Sequence, residues 1–350
     1  MIFFGMFFFI ISFAVIFVNS KNNYLSLFFI LLCFILIFSL RDFSVGSDTY
    51  SYYEIFYDSP YMFPFDFRIE PLFILINYFI FIIYPNFIFY LFAVSTTFFL
   101  LWIDNIERNV SFHKDVVYLS FISIFGFLFF LNIARQAFAM AICVSALFFL
   151  LRGRIIFFFI LVLIASMIHY SAISFLSVFF IIKFSRYPFL ILSSTFLSFY
   201  ILSSLGIRFF STLSTRYLGY TNIGGEITGI YLILFICLQY ISFYFLYRKY
   251  FLYDFYYRSL LSVFSFGVGI FLALKILGVP DEGPVRISFY FLIVNVFLFP
   301  YIFKIWNNQN SLVIAKYVFY IFCGFYFFWG INSGAGGIGN YYINNSIKIF

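Results

Sequence analysis

The chain has 350 residues, of which 65% are hydrophobic and 9% are charged, and its formal net charge is +7. A soluble domain with a polar surface cannot be built from this composition. The sequence therefore predicts an all-α, polytopic integral membrane protein that forms one domain over residues 1–350.

Apolar runs of membrane-helix length recur along the chain. A hydrocarbon layer of about 30 Å requires roughly 20 apolar residues in a helix. Such runs cover residues 1–18, 24–40, 71–103, 115–131, 136–151, 155–168, 171–183, 188–206, 228–247, 258–278, 286–303 and 313–330. They predict about 11–12 transmembrane helices plus short interfacial helices on one side of the membrane. The first run is preceded by neither Lys nor Arg, so we do not expect a cleavable signal peptide.

Two of these runs allow more than one interpretation. The run 71–103 is interrupted by "YPN" at residues 84–86, which predicts a short surface helix followed by one crossing. We divide the stretch 155–183 near His169, although a single long helix with His169 near its middle is an alternative.

The loops between the runs differ in charge, and this difference assigns them to sides of the membrane. By the positive-inside rule, the side with more Lys and Arg is cytoplasmic. Both termini are then non-cytoplasmic, and nearly all the unusual polar segments gather on the same, non-cytoplasmic face. These segments begin at Arg41, Arg68, Asn132, His169, Ser214, Pro280 and Gly334.

Residues 41–70 predict a non-cytoplasmic loop with an interfacial helix. In "RDFSVGSDTYSYYEIF", Gly46 and Ser47 end one helix, and Ser47 or Asp48 can cap the next. Asp48 is either an ordinary cap or a carboxylate that faces a site. Glu70 precedes Pro71 at a helix start, where the helix dipole favours a negative charge, and it has the same two interpretations.

The segment "NIARQ" places Asn132, Arg135 and Gln136 at the start of an apolar run. An Arg inside hydrocarbon costs about 2.5–3.5 kcal/mol, although an Arg at the margin can reach the headgroups and avoid much of this cost. Asn and Gln are too short to do so. The group therefore favours a function over simple anchoring.

His169, in "SMIHYSA", is the one histidine on the predicted non-cytoplasmic face. It is either a structural residue or a candidate for proton transfer near neutral pH. A single histidine without a cysteine partner does not predict zinc, and we expect neither a metal nor a cofactor. The sequence also lacks a P-loop, a GxGxxG motif that opens a βαβ unit and an HExxH motif, which argues against nucleotide-driven transport and zinc proteolysis.

Several spaced motifs resemble the EpsG family of bacterial polysaccharide polymerases, which includes Wzy-type O-antigen polymerases. They are, in chain order, "RDFSVGSDTYSYYEIF", "RIEPLFILIN", "NIARQAFAMAI", "MIHYSAISF" and "RISFYFLIVNVFLFP". The resemblance extends from Arg41 to about Pro300. It implies a multi-pass glycosyltransferase of the bacterial inner membrane that is active on its periplasmic face.

The resemblance also implies substrates and partners. Such enzymes transfer a growing glycan from undecaprenyl diphosphate onto another carrier-linked repeat unit. The expected partners are this lipid-linked glycan, membrane lipid, a flippase and a chain-length regulator, with no nucleic acid. The pattern residues of the family fall on Arg41, Gly46, Asp48, Thr49, Tyr52, Glu70, Pro71, Asn132, Arg135, Gln136, His169, Tyr170 and Arg286.

We assign roles to these residues from their chemistry. Arg135, with Arg216 or Arg286, is predicted to bind the diphosphate, whose negative charge grows as it leaves. Asn132 and Gln136 are predicted to orient its oxygens or a sugar hydroxyl. The general base is predicted to be Asp48, then His169, then Glu70 in order of preference. Further substrate contacts are predicted for Arg41, Tyr52 and Tyr170.

Two other functions remain as alternatives. A flippase or transporter of lipid-linked oligosaccharides would carry polar residues through the membrane depth, or at matching positions in two halves. Here the polar residues cluster at one depth, and no internal repeat is evident. A membrane acyltransferase is the third candidate, and His169 alone does not exclude it.

Overall fold

We analysed a computed structural model that describes residues 2–19, 23–62, 69–213, 229–279 and 283–332. These residues form helices joined by short turns, and none of them lies in a β-strand. The α-helices are α1 (Ile2–Ile16), α2 (Tyr24–Ser39), α3 (Thr49–Met62), α4 (Pro71–Ile83), α5 (Phe87–Asn109), α6 (Lys114–Ser120), α7 (Gly126–Asn132), α8 (Ala134–Leu151), α9 (Ile155–Ile168), α10 (Val178–Lys183), α11 (Pro188–Leu213), α12 (Ile230–Leu246), α13 (Phe255–Ile276), α14 (Arg286–Leu292), α15 (Phe299–Lys304) and α16 (Gln309–Asn332).

The lengths and hydropathies of these helices confirm an all-α, polytopic membrane protein. Six apolar helical stretches in the described part of the chain are long enough to cross a membrane. They are Phe87–Asn109, Ala134–Leu151, Ile230–Phe251, Phe255–Ile276, Arg286–Lys304 and Gln309–Asn332. Other apolar helices are shorter, among them Tyr24–Ser39, Pro71–Ile83 and Ile155–Ile168, so the number of 11–12 crossings stays a prediction.

The predicted break in the run 71–103 is present. α4 begins with Pro71 at its first turn and ends at Ile83, and α5 begins at Phe87. The Asn86 side chain caps α5, because its Oδ1 accepts from the N–H groups of Ile88 and Phe89 at 2.9 and 3.2 Å.

The stretch 155–183 is divided at His169, as we favoured over one continuous helix. α9 ends at Ile168, His169 is not helical, and a 3₁₀ segment, Tyr170–Ser177, follows. The helix therefore ends where the polar residues begin, and His169 lies at a helix terminus.

The helix predicted within residues 41–70 is present as α3, over Thr49–Met62. The Tyr52 N–H donates to the Asp48 carbonyl at 3.0 Å, so Asp48 directly precedes α3. The position of α3 at a membrane surface stays a prediction.

Contacts divide the chain into two compact units, and the first contains residues 1–148, 156–172 and 299–350. In this unit α2 packs along α5, where the rings of Phe34 and Phe99 stack with centroids 4.1 Å apart. α16 packs on α6, where Lys316 Nζ lies 2.8 Å from the buried carboxylate of Asp115. Most of the residues that the sequence marks as functional belong to this unit.

The second unit contains residues 149–155 and 173–298 and is built around α13. Two glycines let other helices approach α13 closely. A Cβ at Gly267 would lie 2.7 Å from the Cβ of Phe291, and one at Gly269 would lie 2.8 Å from the Leu192 carbonyl oxygen. The prediction of a single domain over residues 1–350 stays a prediction.

Candidate functional site

Four separate segments of the first unit meet around one carboxylate. They are the loop 41–48 with the start of α3, the residues before α4, the junction of α7 and α8, and the end of α9. Each segment is a helix end or the turn beside one, where side chains can leave the apolar helix surface. Sequence analysis placed candidate residues in all four.

Glu70 lies at the centre of this group. Its side chain is 6% exposed, and both of its oxygens have partners. Oε2 accepts from Arg135 Nη1 at 2.8 Å, while Oε1 lies 2.9 Å from His169 Nδ1 and 3.2 Å from the Tyr170 backbone nitrogen. Glu70 therefore joins α4, α8 and the end of α9, and its side chain does not cap its own helix.

The surroundings of Glu70 favour its ionised form. Burial by itself raises the pKa of the carboxyl. The hydrogen bond with His169 and the charge of Arg135 outweigh burial, so the pKa of Glu70 is lowered from its ordinary value of 4.5. The carboxylate thus carries the negative charge that partners Arg135.

The contacts of Glu70 determine how His169 can act. An ionised carboxylate only accepts hydrogen bonds, so Nδ1 of His169 must be protonated and must donate to Glu70 Oε1. In the neutral ring Nε2 is then the basic nitrogen. The His169 side chain is 25% exposed. The arrangement can therefore take a proton at Nε2 while Glu70 stabilises the resulting imidazolium.

Arg135 is held at three places. Its Nη1 pairs with Glu70, its guanidinium lies 5.2 Å from the centroid of the Phe73 ring, and its backbone N–H donates to the Tyr52 hydroxyl at 3.3 Å. The side chain is 26% exposed, and its Nε is buried without a hydrogen bond to any residue the structure describes. A fixed guanidinium with donors to spare is suited to binding an anion.

Arg41 and Asn132 hold the loop 41–48 against the junction of α7 and α8. Arg41 is 1% exposed and donates from Nη1 to the Leu131 carbonyl at 2.9 Å. Asn132 Oδ1 accepts from the Ser47 backbone N–H at 2.9 Å and from the Ser47 hydroxyl. Both residues were predicted to bind substrate, and these contacts are made within the protein itself.

Asp48, Tyr52 and Gln136 are further predicted site residues, and they differ in exposure. Asp48 is half-buried, and its carboxylate accepts from the Ser47 hydroxyl at 2.8 Å. Tyr52 is 3% exposed, and burial, followed by the negative charge of Asp48, raises its pKa to about 12 against the opposing charges of Arg135 and Arg41. Gln136 is also buried.

An apolar cleft of about 280 Å³ adjoins this group. Its walls come mainly from α4, α5 and α8, with Ile76, Val94 and Phe138 among the lining residues. Arg135 lines it as well, and no other charged side chain does so in the part of the chain that is described. The cleft therefore combines hydrocarbon walls with one cationic group.

Arg216, Arg286 and Tyr170 complete the set of predicted site residues. Arg216 lies outside the described residues. Arg286 opens α14 in the second unit. Tyr170 contributes its backbone N–H to Glu70, and the residue as a whole is exposed. No group of three or more His, Cys, Asp or Glu that could hold a metal ion occurs within the described ranges.

Sequence reasoning did not identify Phe73 or the Leu131 carbonyl as parts of the group. Phe73 lies in "RIEPLF", three residues after Glu70, and this helical spacing could have indicated that both face the same neighbour. Every residue type has the same backbone carbonyl, so no sequence pattern could have indicated the role of Leu131.

The EpsG family model matches residues 23–344 of the chain. The chain belongs to the EpsG family. The matched region includes all four segments around Glu70 and nearly the whole chain. Membership of the EpsG family indicates a membrane protein of polysaccharide biosynthesis. Neither the curated proteins nor the solved structures contain a match to this chain.

Proposed function

We propose that the protein is a glycosyltransferase that polymerises undecaprenyl-diphosphate-linked oligosaccharide repeat units into O-antigen or exopolysaccharide. It would act from the periplasmic face of the bacterial inner membrane. The observation that carries this proposal is the group of Glu70, His169 and Arg135 beside an apolar cleft, in a chain of the EpsG family.

The proposed reaction transfers the growing glycan from its lipid carrier to an acceptor. A hydroxyl of the acceptor sugar attacks the anomeric carbon of the donor glycan, and a new carbon–oxygen bond forms. The bond between that carbon and the diphosphate oxygen breaks, and the lipid diphosphate leaves with the electron pair. The hydroxyl proton passes to a base.

Arg135 is the proposed ligand of the diphosphate. The leaving group gains negative charge in the transition state, so a fixed cation stabilises that state more than the ground state. One donor of Arg135 is engaged by Glu70, and the guanidinium offers others in the same plane. Glu70, Phe73 and Tyr52 together hold this side chain and its backbone, and a preorganised donor needs little rearrangement during the reaction.

His169 is the proposed general base. Glu70 accepts the Nδ1 proton and thereby leaves Nε2 as the basic atom, an arrangement suited to accepting the proton of a hydroxyl. Asp48 was preferred from the sequence, but its described contact is with Ser47 beside it. Glu70 itself is a poor base, because both of its oxygens are engaged and its pKa is lowered.

The apolar cleft is the proposed site for the part of the hydrocarbon carrier nearest the diphosphate. Its volume of about 280 Å³ suits a few isoprene units rather than a whole long chain. The remainder of the carrier would extend into membrane lipid. Arg135 at the lining of the cleft would then meet the diphosphate where the hydrocarbon ends.

Two further predicted roles are retained as part of the proposal. Arg216 and Arg286 are candidates for a second contact with the diphosphate, and Gln136 is a candidate for orienting its oxygens. A flippase and a chain-length regulator are the proposed partners.

Reconstitution tests the proposal directly. The purified protein is placed in liposomes with undecaprenyl-diphosphate-linked repeat units, and the products are separated by size. We expect a ladder of longer glycans, made equally well by Arg108→Lys, a control at an exposed residue paired with Asp104. Movement of the lipid between leaflets without lengthening would support a flippase instead and would overturn the proposal.

A further inference from the structure

The junction between α7 and α8 is a helix break one residue long. α7 ends at Asn132, α8 begins at Ala134, and Ile133 between them is not helical. In a continuous α-helix the Leu131 carbonyl would accept from the N–H of Arg135, four residues later. A break separates these two groups, and each then needs another partner if it is to be buried.

Two side chains supply those partners. The Leu131 carbonyl accepts from Arg41 Nη1 at 2.9 Å, and the Arg135 N–H donates to the Tyr52 hydroxyl at 3.3 Å. Arg41 thus replaces the missing donor and Tyr52 the missing acceptor. Both side chains are buried, at 1% and 3% exposure, so the two bonds are shielded from water.

The loop that carries Arg41 is built to lie against this carbonyl. A Cβ at Gly46 would lie 2.2 Å from the Leu131 carbonyl oxygen, and Gly46 has a φ of +88°. No other residue type fits there without moving the backbone. The Ser47 backbone N–H and hydroxyl also bond to Asn132 Oδ1, so the loop is joined to the last residue of α7.

We propose that Arg41 and Tyr52 are positioning residues that hold this break open and thereby place Arg135 beside Glu70. They act through the backbone of residues 131–135, and Arg41 does not bind the diphosphate. The catalytic part of this inference rests on the function proposed above. The inference explains why the Arg41 guanidinium is buried, which anchoring at a membrane surface does not explain.

Combined variants test this role in the transfer reaction. We expect Arg41→Met to slow glycan transfer on the order of 10- to 100-fold, because a small displacement of a binding group costs that much. We expect Arg41→Lys, which keeps a donor, to recover part of the rate. The double variant Arg41→Met/Arg135→Lys should be no slower than Arg135→Lys alone. A rate for the double variant that falls by the product of the two single decreases would show that Arg41 contacts the substrate independently. That result would overturn the inference.

Melting temperatures test the break itself without any substrate. In detergent, the decrease in melting temperature for Arg41→Met/Tyr52→Phe should be smaller than the sum of the decreases for the two single variants. The reason is that both residues stabilise the same helix break. Tyr57→Phe in the same helix is the control, and its loss should add to that of Arg41→Met.

This second measurement also separates the two proposals. It needs no glycan transfer, so a protein that lengthens no glycan would still show coupled melting losses if the break is held as we infer. Additive losses for Arg41→Met and Tyr52→Phe would overturn the inference even in a protein that polymerises glycan.

Discussion

Glu70 and His169 are 99 residues apart in the chain, and an oxygen of the first lies 2.9 Å from Nδ1 of the second. The opposite carboxylate oxygen pairs with Arg135. One buried acid thus connects a cation suited to a leaving diphosphate with an imidazole suited to a hydroxyl proton.

Glu70→Gln should weaken both folding and activity. The amide keeps the size of the side chain but removes the negative charge that partners Arg135, so a loss of about 1–3 kcal/mol in stability is expected. Thermal unfolding in detergent measures the stability, and glycan transfer should fall at least 10-fold. Unchanged melting and unchanged transfer would show that the carboxylate charge is not needed.

The stability contributed by Glu70 should depend on pH in one direction. Its pKa in the folded protein is below the ordinary value of 4.5, so its contribution is complete above that value and is lost as the pH falls through the lowered pKa. The difference in melting temperature between the wild type and Glu70→Gln should therefore be largest near about pH 6 and shrink below about pH 4. A difference that stays constant over this range, or grows towards acid, contradicts the assignment.

Arg135→Lys should reduce glycan transfer by about 100-fold. Lys keeps the positive charge but lacks the planar set of donors that can contact Glu70 and a phosphate oxygen together. Transfer rates in liposomes measure the effect, with Arg108→Lys as the matched control at an exposed position. Full activity of Arg135→Lys would remove this residue from the proposed diphosphate site.

A large side chain in the cleft should impair binding of the lipid carrier. Ala93 lines the cleft, and a phenyl ring in Ala93→Phe would occupy part of its volume of about 280 Å³. We expect a higher KM for substrates on long isoprenoid carriers and a smaller effect with very short carriers, while Ala93→Ser serves as the size control. An equal KM for wild type and Ala93→Phe would mean that the carrier binds elsewhere.

Much of the fold is readable from the sequence, because hydrophobic runs and helix-breaking residues are local signals. The break at "YPN" before Phe87 and the helix end before His169 both follow from residues at those positions. The number of crossings is harder to predict, because several apolar helices are shorter than a membrane span.

The residues that form the site could also be predicted in part, but the contacts between them could not. Polar residues at helix ends identified Glu70, Arg135 and His169 as candidates. Residue type and periodicity report neighbours within one helix, whereas Arg135 is 65 residues from Glu70 along the chain. Arg41 shows the same limit, because the sequence marks an arginine in an apolar region and gives no indication that its partner is a backbone carbonyl.

The most direct test of the proposed centre compares His169→Asn with Asp48→Asn in glycan transfer at saturating substrate. If His169 takes the acceptor proton, its replacement should slow transfer by about 10²–10⁴-fold, whereas Asp48→Asn should stay within about 10-fold of the wild type. The reverse order, with His169→Asn active and Asp48→Asn inactive, would contradict the account and return the role of base to Asp48.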